Sequence, residues 1–299
     1  MATKAKILRG VGGQYLLHNH QTEFTGLAMV RGILRQKQQA PLPGDIVVYE
    51  DSGDPDIPYV INSICERKNS LPRPRISNLD VLLITASSTL PAIDYYLLDR
   101  LCAYAYFHDI EPVLLLTKND LEPDSETVAE FYRNYEPTGF PIFRTGLADG
   151  ETLEHLATYL AGKNVAFAGQ SGVGKSTLIN RIFGIELMTV GKISHKGKRG
   201  KQTTRHVEFF PTAKAGYIAD TPGFQTISLF DLQMQPAEFA LGYPEIADSS
   251  EACRFRTCSH TGELGCVVAE KQLMHPARYE RYCELYKQLV ADIKRYSYK

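Results

Sequence analysis

The stretch "KNVAFAGQSGVGKST", residues 163–177, decides the fold. A strand over 163–169 breaks into a glycine-rich turn, and a helix is expected from Lys175 to 183. Gly169, Gln170, Ser171, Gly172, Val173, Gly174, Lys175 and Ser176, followed by Thr177, match G-x-x-x-x-G-K-[ST] between a strand and a helix. Glycines let successive backbone N–H groups turn inward around phosphates, and the helix N-terminus adds partial positive charge. Lys175 is expected to reach the β- and γ-phosphates, and the Ser176 hydroxyl to ligate Mg²⁺. The alternative is a chance glycine-rich turn, which has no reason to fall between these flanks.

Working outward, the pattern is one of strands alternating with helices. "DVLLITAS" (80–87) is a continuous apolar run, as expected for a parallel strand buried on both faces. Residues 92–109 have helical spacing, "EPVLLLTK" reads as a strand, 125–135 as a helix, "FPIFRT" as a strand and 151–161 as a helix. After helix 175–183 come the strands "HVEFF" and "AGYIAD". This alternation predicts a doubly wound α/β domain. "IADTPGF" (218–224) then places Asp220 at a strand end, where it can hold Mg²⁺ through water. Gly223 falls where a backbone N–H can approach a γ-phosphate.

Upstream of the phosphate loop, "LLLTKNDLEP" (114–123) ends an apolar strand in Thr117-Lys118-Asn119-Asp120. A carboxylate at Asp120 can accept hydrogen bonds from guanine N1–H and N2–H, whereas adenine would leave it unsatisfied. Lys118 can lay its stem along the base plane. Without a phosphate loop, TKND would read as a strand end entering a turn.

Residues 1–66 read as all-β, with short runs such as "QYLLH", "GLAMVRG" and "DIVVYE" and a turn at "PLPGD". About five such strands suit a small barrel of the OB kind, which often touches nucleic acid; a barrel without a ligand is the plain alternative. "RKNSLPRPRISN" (67–78), with two prolines, four basic residues and no acid, reads as a linker.

The chain has 299 residues, 43% hydrophobic and 22% charged, enough for two or three domains. No apolar run approaches the roughly 20 residues that span a bilayer, and the start "MATKAKILRG" lacks signal-peptide features. The cytoplasm is the expected compartment. A net charge of -1 excludes a global nucleic-acid footprint, so basic contacts must be local. One such place is "GKISHKGKRGKQTTRH" (191–206), with six Lys/Arg, two His and no acid. Of six cysteines, Cys253, Cys258 and Cys266 crowd around His260, which in a cytoplasmic chain points to metal rather than disulfides. Three thiolates and an imidazole make a closed tetrahedral set for one structural Zn²⁺; reduced structural cysteines are the alternative.

The order of these motifs is unusual. Ordinary GTPases run phosphate loop, switch threonine, DxxG, base reader and base-supporting loop. Here the base reader comes first, with "RTGLADG" (144–150) as the supporting loop before the phosphate loop. The chain resembles the circularly permuted GTPases of the RsgA (YjeQ/YloQ) family, which act in biogenesis of the small ribosomal subunit. The resemblance covers nearly the whole chain, including the linker "RKNSLPRP" and the spacing C-x4-C-x-H-x5-C. It implies an OB-like β-barrel in 1–66 that binds RNA, a permuted G domain in 67–231 and a helical zinc-binding domain in 232–299. It implies GTP/GDP and Mg²⁺, with Thr145 and Gly146 supporting the base. It makes Thr204 the switch threonine and Mg²⁺ ligand, with Thr203 second. Lys175, Thr204 and Asp220 become the catalytic set, and the small subunit with its rRNA the partner of a monomer.

Two departures matter. Thr117 stands where the family has Asn, which should weaken the base-reading loop without abolishing specificity. No histidine follows the DTPG motif; "ISLFDLQ" there offers Asp231, and His195 and His206 are further stand-ins. Phe224 occupies the position of the water-orienting Gln. Two readings of other classes therefore stay open: a P-loop ATP-using kinase, and an RNA-binding nucleotide-switch scaffold with negligible hydrolysis.

Overall fold

A computed structural model describes residues 3–31, 40–121, 125–146, 149–183, 207–214, 216–221, 224 and 227–297. These form two compact units. The first comprises Met1–Asp80, Ala157–Ala166 and Ile179–Gly223; the second comprises Val81–Leu156, Phe167–Leu178 and Phe224–Lys299.

In the first unit, β1 (Thr3–Val11), β2 (Gln14–Asn19), β3 (Phe24–Val30), β4 (Ile46–Asp51) and β5 (Tyr59–Ile64) close a barrel in the order β1-β2-β3-β5-β4. Closure leaves no unpaired edge. Ala5, Ile7, Leu17, Ala28, Val47, Tyr49 and Ile61 fill the interior. On β1 the alternate residues Lys6 and Leu8 are buried too. Lys6 Nζ lies 5.2 Å from the Phe209 ring centre and 4.9 Å from that of Tyr217.

Residues 67–78 are not a plain linker. They form the ribbon β6 (Ser70–Leu71) and β7 (Ile76–Ser77). The cause is Asp45, a fully buried carboxylate. It accepts from Arg67 Nε and Nη2 at 2.7 Å each, from Ser77 Oγ at 2.6 Å and from Leu42 N at 2.7 Å. A buried carboxylate demands such partners, and this segment supplies two of them.

Strand β11 (Asn164–Gly169) contributes residues to both units. In the second unit β8 (Val81–Ser87), β9 (Glu111–Thr117) and β10 (Ile142–Arg144) pair in parallel, joined by α1 (Tyr95–Phe107) and α2 (Glu126–Tyr135). Asp94 caps α1 by accepting from Leu97 N at 2.9 Å, and Ser125 begins α2. α3 (Gly150–Tyr159) precedes β11, and α4 (Lys175–Phe183) follows it. In the first unit β11 pairs in parallel with β13 (Tyr217–Asp220), which pairs antiparallel with β12 (Glu208–Pro211).

The C-terminal part adds α5 (Pro236–Leu241), α6 (Pro244–Ala247), α7 (Val267–Glu270) and the long α8 (Pro276–Ser297). A buried charge network ties α8 to α1 and α2. Asp99 accepts from Arg278, from Arg281 Nε at 2.6 Å and from Tyr135 Oη at 2.9 Å. Arg278 also donates to Glu245 at 3.0 Å, and Arg281 to Asn134 at 3.0 Å. Neither Asp99 nor Arg278 has any exposed surface, so this packing depends on every partner being present.

Candidate active site

The phosphate loop leaves β11 at Gly169 and enters α4 at Lys175. Gly169, Gly172 and Gly174 have φ of +116°, +83° and +94°, the left-handed region that glycine adopts without strain. A Cβ at Gly169 would also collide with the Thr85 carbonyl. Lys175 Nζ donates to the Gly169 carbonyl at 2.6 Å and to that of Gln170. Burial pushes its ammonium down to about 8. Gln170 spends its side chain on the neighbouring loop, donating to Ala92 O at 2.9 Å and accepting from Asp94 N at 3.1 Å. Ser171 is exposed and Val173 is buried; Ser176 lies in the first turn of α4, half-buried, and Thr177 beside it is exposed.

The base-reading loop lies against this one. Thr117 is buried, and its hydroxyl reaches Val173 O at 2.7 Å and Ala86 O at 3.0 Å. Lys118, at φ 59°, donates to Gly172 O at 3.1 Å and to Leu90 O. Asn119 N donates to Thr145 O at 3.2 Å, and Thr145 N to Leu116 O at 2.9 Å. Asp120 stays exposed, and a Cβ at Gly146 would fall 2.5 Å from that of Asp120. Only glycine therefore lets the supporting loop approach the carboxylate so closely. Thr117, Lys118, Asn119, Asp120, Thr145, Gly146 and the phosphate loop thus form one constellation in the second unit.

In the first unit Asp220 ends β13, exposed, with Thr221 following. Gly223, Thr203, Thr204, His195 and His206 lie outside the described residues.

The cysteine cluster is also assembled. The ligand atoms of Cys253, Cys258, His260 and Cys266 all lie within 4.8 Å of one another. His260 Nδ1 is 3.6 Å from Cys253 Sγ and 3.7 Å from Cys266 Sγ. Tetrahedral zinc with ordinary Zn–S and Zn–N bonds separates sulfur and nitrogen by about 3.6 Å, so the donor set fits the ion. Around it, Glu263 accepts from Ser259 N at 2.6 Å and Thr261 N at 2.8 Å, and Tyr282 Oη donates to Ser259 O at 2.6 Å.

Compared with known proteins, a model described as RsgA GTPase matches residues 64–230. A protein of Ruminiclostridium cellulolyticum named small ribosomal subunit biogenesis GTPase RsgA is 37% identical, over 98% of this chain and 95% of its own. The chain belongs to the RsgA GTPase family. A Bacillus velezensis protein of the same name is 35% identical over 98% of this chain and 99% of its own. The crystal structure of YloQ, a circularly permuted GTPase, matches with a TM-score of 0.77 at 30% identity, covering 98% of this chain and 96% of that one. YjeQ from Thermotoga maritima matches with a TM-score of 0.78 at 27% identity, covering 97% and 99%.

At four residues of the site the geometry adds to what the sequence suggested. The Thr117 hydroxyl has one proton and two carbonyls in reach, Val173 O being the nearer, so the base-reading loop is tied to the phosphate loop without Asn. Lys118 holds two carbonyls with its ammonium in addition to offering its stem. Asp231 accepts from the Ser228 hydroxyl at 2.7 Å and Ser228 N at 3.2 Å, and is thereby engaged in closing its own turn. Phe224 is fully buried, its ring 6.4 Å from that of Tyr104, and cannot orient water. Thr85, Leu90 and Tyr282 carry no motif, and nothing local in the sequence marks them as site neighbours, whereas Ser259 and Glu263 fall between the ligands of the cysteine cluster.

Proposed function

We propose that this chain binds GTP and hydrolyses it to GDP and phosphate by attack of water on the γ-phosphate. The observation that carries the reading is the bond from Thr117 to Val173, which locks a guanine-reading carboxylate loop onto a phosphate loop. Asp120 accepts from the guanine edge, with Gly146 closing behind it. The N–H groups of 169–177 and the Lys175 ammonium hold the phosphates, and the cost of burying that ammonium is offset when phosphate charge arrives. Ser176, Asp220 and Thr204 hold Mg²⁺, which when bound neutralises charge on the β- and γ-oxygens. Cys253, Cys258, His260 and Cys266 hold one Zn²⁺ with no open position, so its role is structural.

The relatives' names support a role in biogenesis of the small ribosomal subunit, and we extend it to late maturation with rRNA contacted directly. The barrel (1–66), the permuted G domain (67–231) and the zinc domain (232–299) are the three working parts. The site of action is the cytoplasm and the chain acts as a monomer; no described helix is long and apolar enough to cross a membrane. An ATP-using kinase is disfavoured by Asp120, which adenine leaves unsatisfied.

Buried Phe224 favours slow turnover in isolation, as in a switch scaffold. GTP turnover measured alone, with small subunits and with large subunits is the test. Small subunits should raise it at least about tenfold, a modest demand beside the 10³–10⁵ an arginine finger supplies. The stimulation should fall with salt if it acts through phosphate contacts. Equal rates in all three conditions would refute the reading.

A further inference from the structure

The β12–β13 hairpin joins the two stretches read above as carrying the Mg²⁺ ligands Thr204 and Asp220. β12 begins at Glu208, shortly after Thr203 and Thr204, and β13 ends at Asp220. Within the first unit the barrel grips this hairpin from β1, β2 and the turn that follows β2. His18 Nδ1 and Tyr217 Oη share a hydrogen bond at 3.0 Å, and His20 Nε2 contacts Gly216 O at 3.1 Å. Lys6 lies over the rings of Phe209 and Tyr217. Farther along β1, Arg9 Nη1 meets Glu208 at 3.1 Å to Oε1 and 3.4 Å to Oε2.

Glu208 is the direct cross-strand partner of Asp220 in the antiparallel register. Opposed residues of such a pair project from the same face, and like charges there repel. The hairpin therefore sets a second carboxylate beside the one read as a cation ligand, and the barrel sets a guanidinium on that second carboxylate.

We propose that Arg9 is a positioning residue for GTP hydrolysis, neutralising Glu208 so that Asp220, and not Glu208, meets the nucleotide's cation. The inference rests on the role given to Asp220 above. It makes the barrel part of the hydrolytic machinery: whatever pulls Arg9 away slows turnover. The pair is half-exposed, with side-chain exposures of 49% and 27%, so its coupling is that of a surface ion pair. That corresponds to a three- to fivefold effect on rate, about the upper end of what exposed pairs deliver.

The test measures GTP turnover, guanine-nucleotide affinity and Mg²⁺ dependence in the full chain for Arg9→Gln, Glu208→Gln, the double variant and Asp220→Asn. Arg9→Gln should lower kcat about three- to fivefold with nucleotide affinity unchanged, and the deficit should shrink as salt screens the carboxylates. Adding Glu208→Gln should restore the rate, which loss of a merely structural contact would not allow. A double variant no faster than Arg9→Gln, or Arg9→Gln at the wild-type rate while Asp220→Asn is slow, overturns the inference alone. Unchanged turnover in Asp220→Asn overturns both the inference and the reading of Asp220.

Discussion

The Thr117 hydroxyl lies 2.7 Å from the carbonyl oxygen of Val173, joining two loops 56 positions apart in the chain. A second acceptor, Ala86 O, lies 3.0 Å away, so the hydroxyl bridges β8, β9 and the phosphate loop. The single hydroxyl proton serves the nearer of two buried carbonyls.

Thr117→Val keeps the shape and removes the donor. Leaving buried acceptors unsatisfied costs about 1–3 kcal/mol. Guanine-nucleotide affinity should fall roughly tenfold, a loss of about 1.4 kcal/mol. Thr117→Ser, which keeps the hydroxyl, should bind nearly as the wild type. A fluorescent-nucleotide titration compares them, and equal affinities in Val and Ser variants would show that the bridge does not support binding.

Guanine choice should follow Asp120. Replacing the acceptor-only carboxylate by an amide, Asp120→Asn, removes the acceptor for guanine N1–H and N2–H and suits xanthine instead. GTP affinity should drop and XTP affinity rise. Competition between the two nucleotides reads this directly, and an unchanged preference for GTP removes the TKND loop from the site.

Nucleotide affinity should also depend on pH through Lys175. Its ammonium is held down to about 8 from an unfolded value near 10.5. The unfolded chain therefore keeps this proton between those values while the folded one loses it, so Lys175 makes free-protein stability rise over pH 8 to 10.5. Binding runs the other way. Phosphate favours the ammonium, so association takes up a proton above pH 8 and affinity falls by up to about tenfold per pH unit. Calorimetry in buffers of different ionisation enthalpy detects the uptake; Lys175→Met should abolish it.

Zinc should be needed for the C-terminal fold and not for nucleotide binding. Cys258→Ser opens the tetrahedral set, and because metal binding free energy at such sites is folding free energy, the loop around Ser259 and Tyr282 should loosen. Elemental analysis should give about one zinc per wild-type chain and less in the variant, as expected of a four-ligand structural site. Guanine-nucleotide affinity should hold, and its collapse would place the cluster in the nucleotide site's support.

The charge network should dominate stability. Asp99→Ala leaves Arg278 and Arg281 buried without their shared carboxylate, and breaking a buried pair this way costs about 3–5 kcal/mol. Urea unfolding of Asp99→Ala beside the milder Arg133→Ala, an exposed pair with Glu126, provides the comparison. A difference below about 1 kcal/mol would show that the network adds little.

Much of the site was legible because its chemistry is local. A phosphate cradle needs consecutive N–H groups and glycines, a base reader needs a carboxylate at a strand end, and the three cysteines and one histidine of the cluster fall between Cys253 and Cys266. Their order along the chain identified the permutation, and the helix over 175–183 began and ended where its spacing predicted. What the tertiary structure alone decided is every pairing between distant residues. The stretch 67–78 has a linker's composition, yet Arg67 and Ser77 answer a carboxylate buried at Asp45. Arg9 meets Glu208 across 199 positions, and Arg281 meets Asp99 across 182. Thr117 looked like a weak substitute until its hydroxyl had Val173 to bond. Sequence spacing records what one turn or strand must contain. Which buried charge finds which partner depends on how strands and helices pack, since only packing brings them within hydrogen-bond reach and removes the water that would otherwise compete.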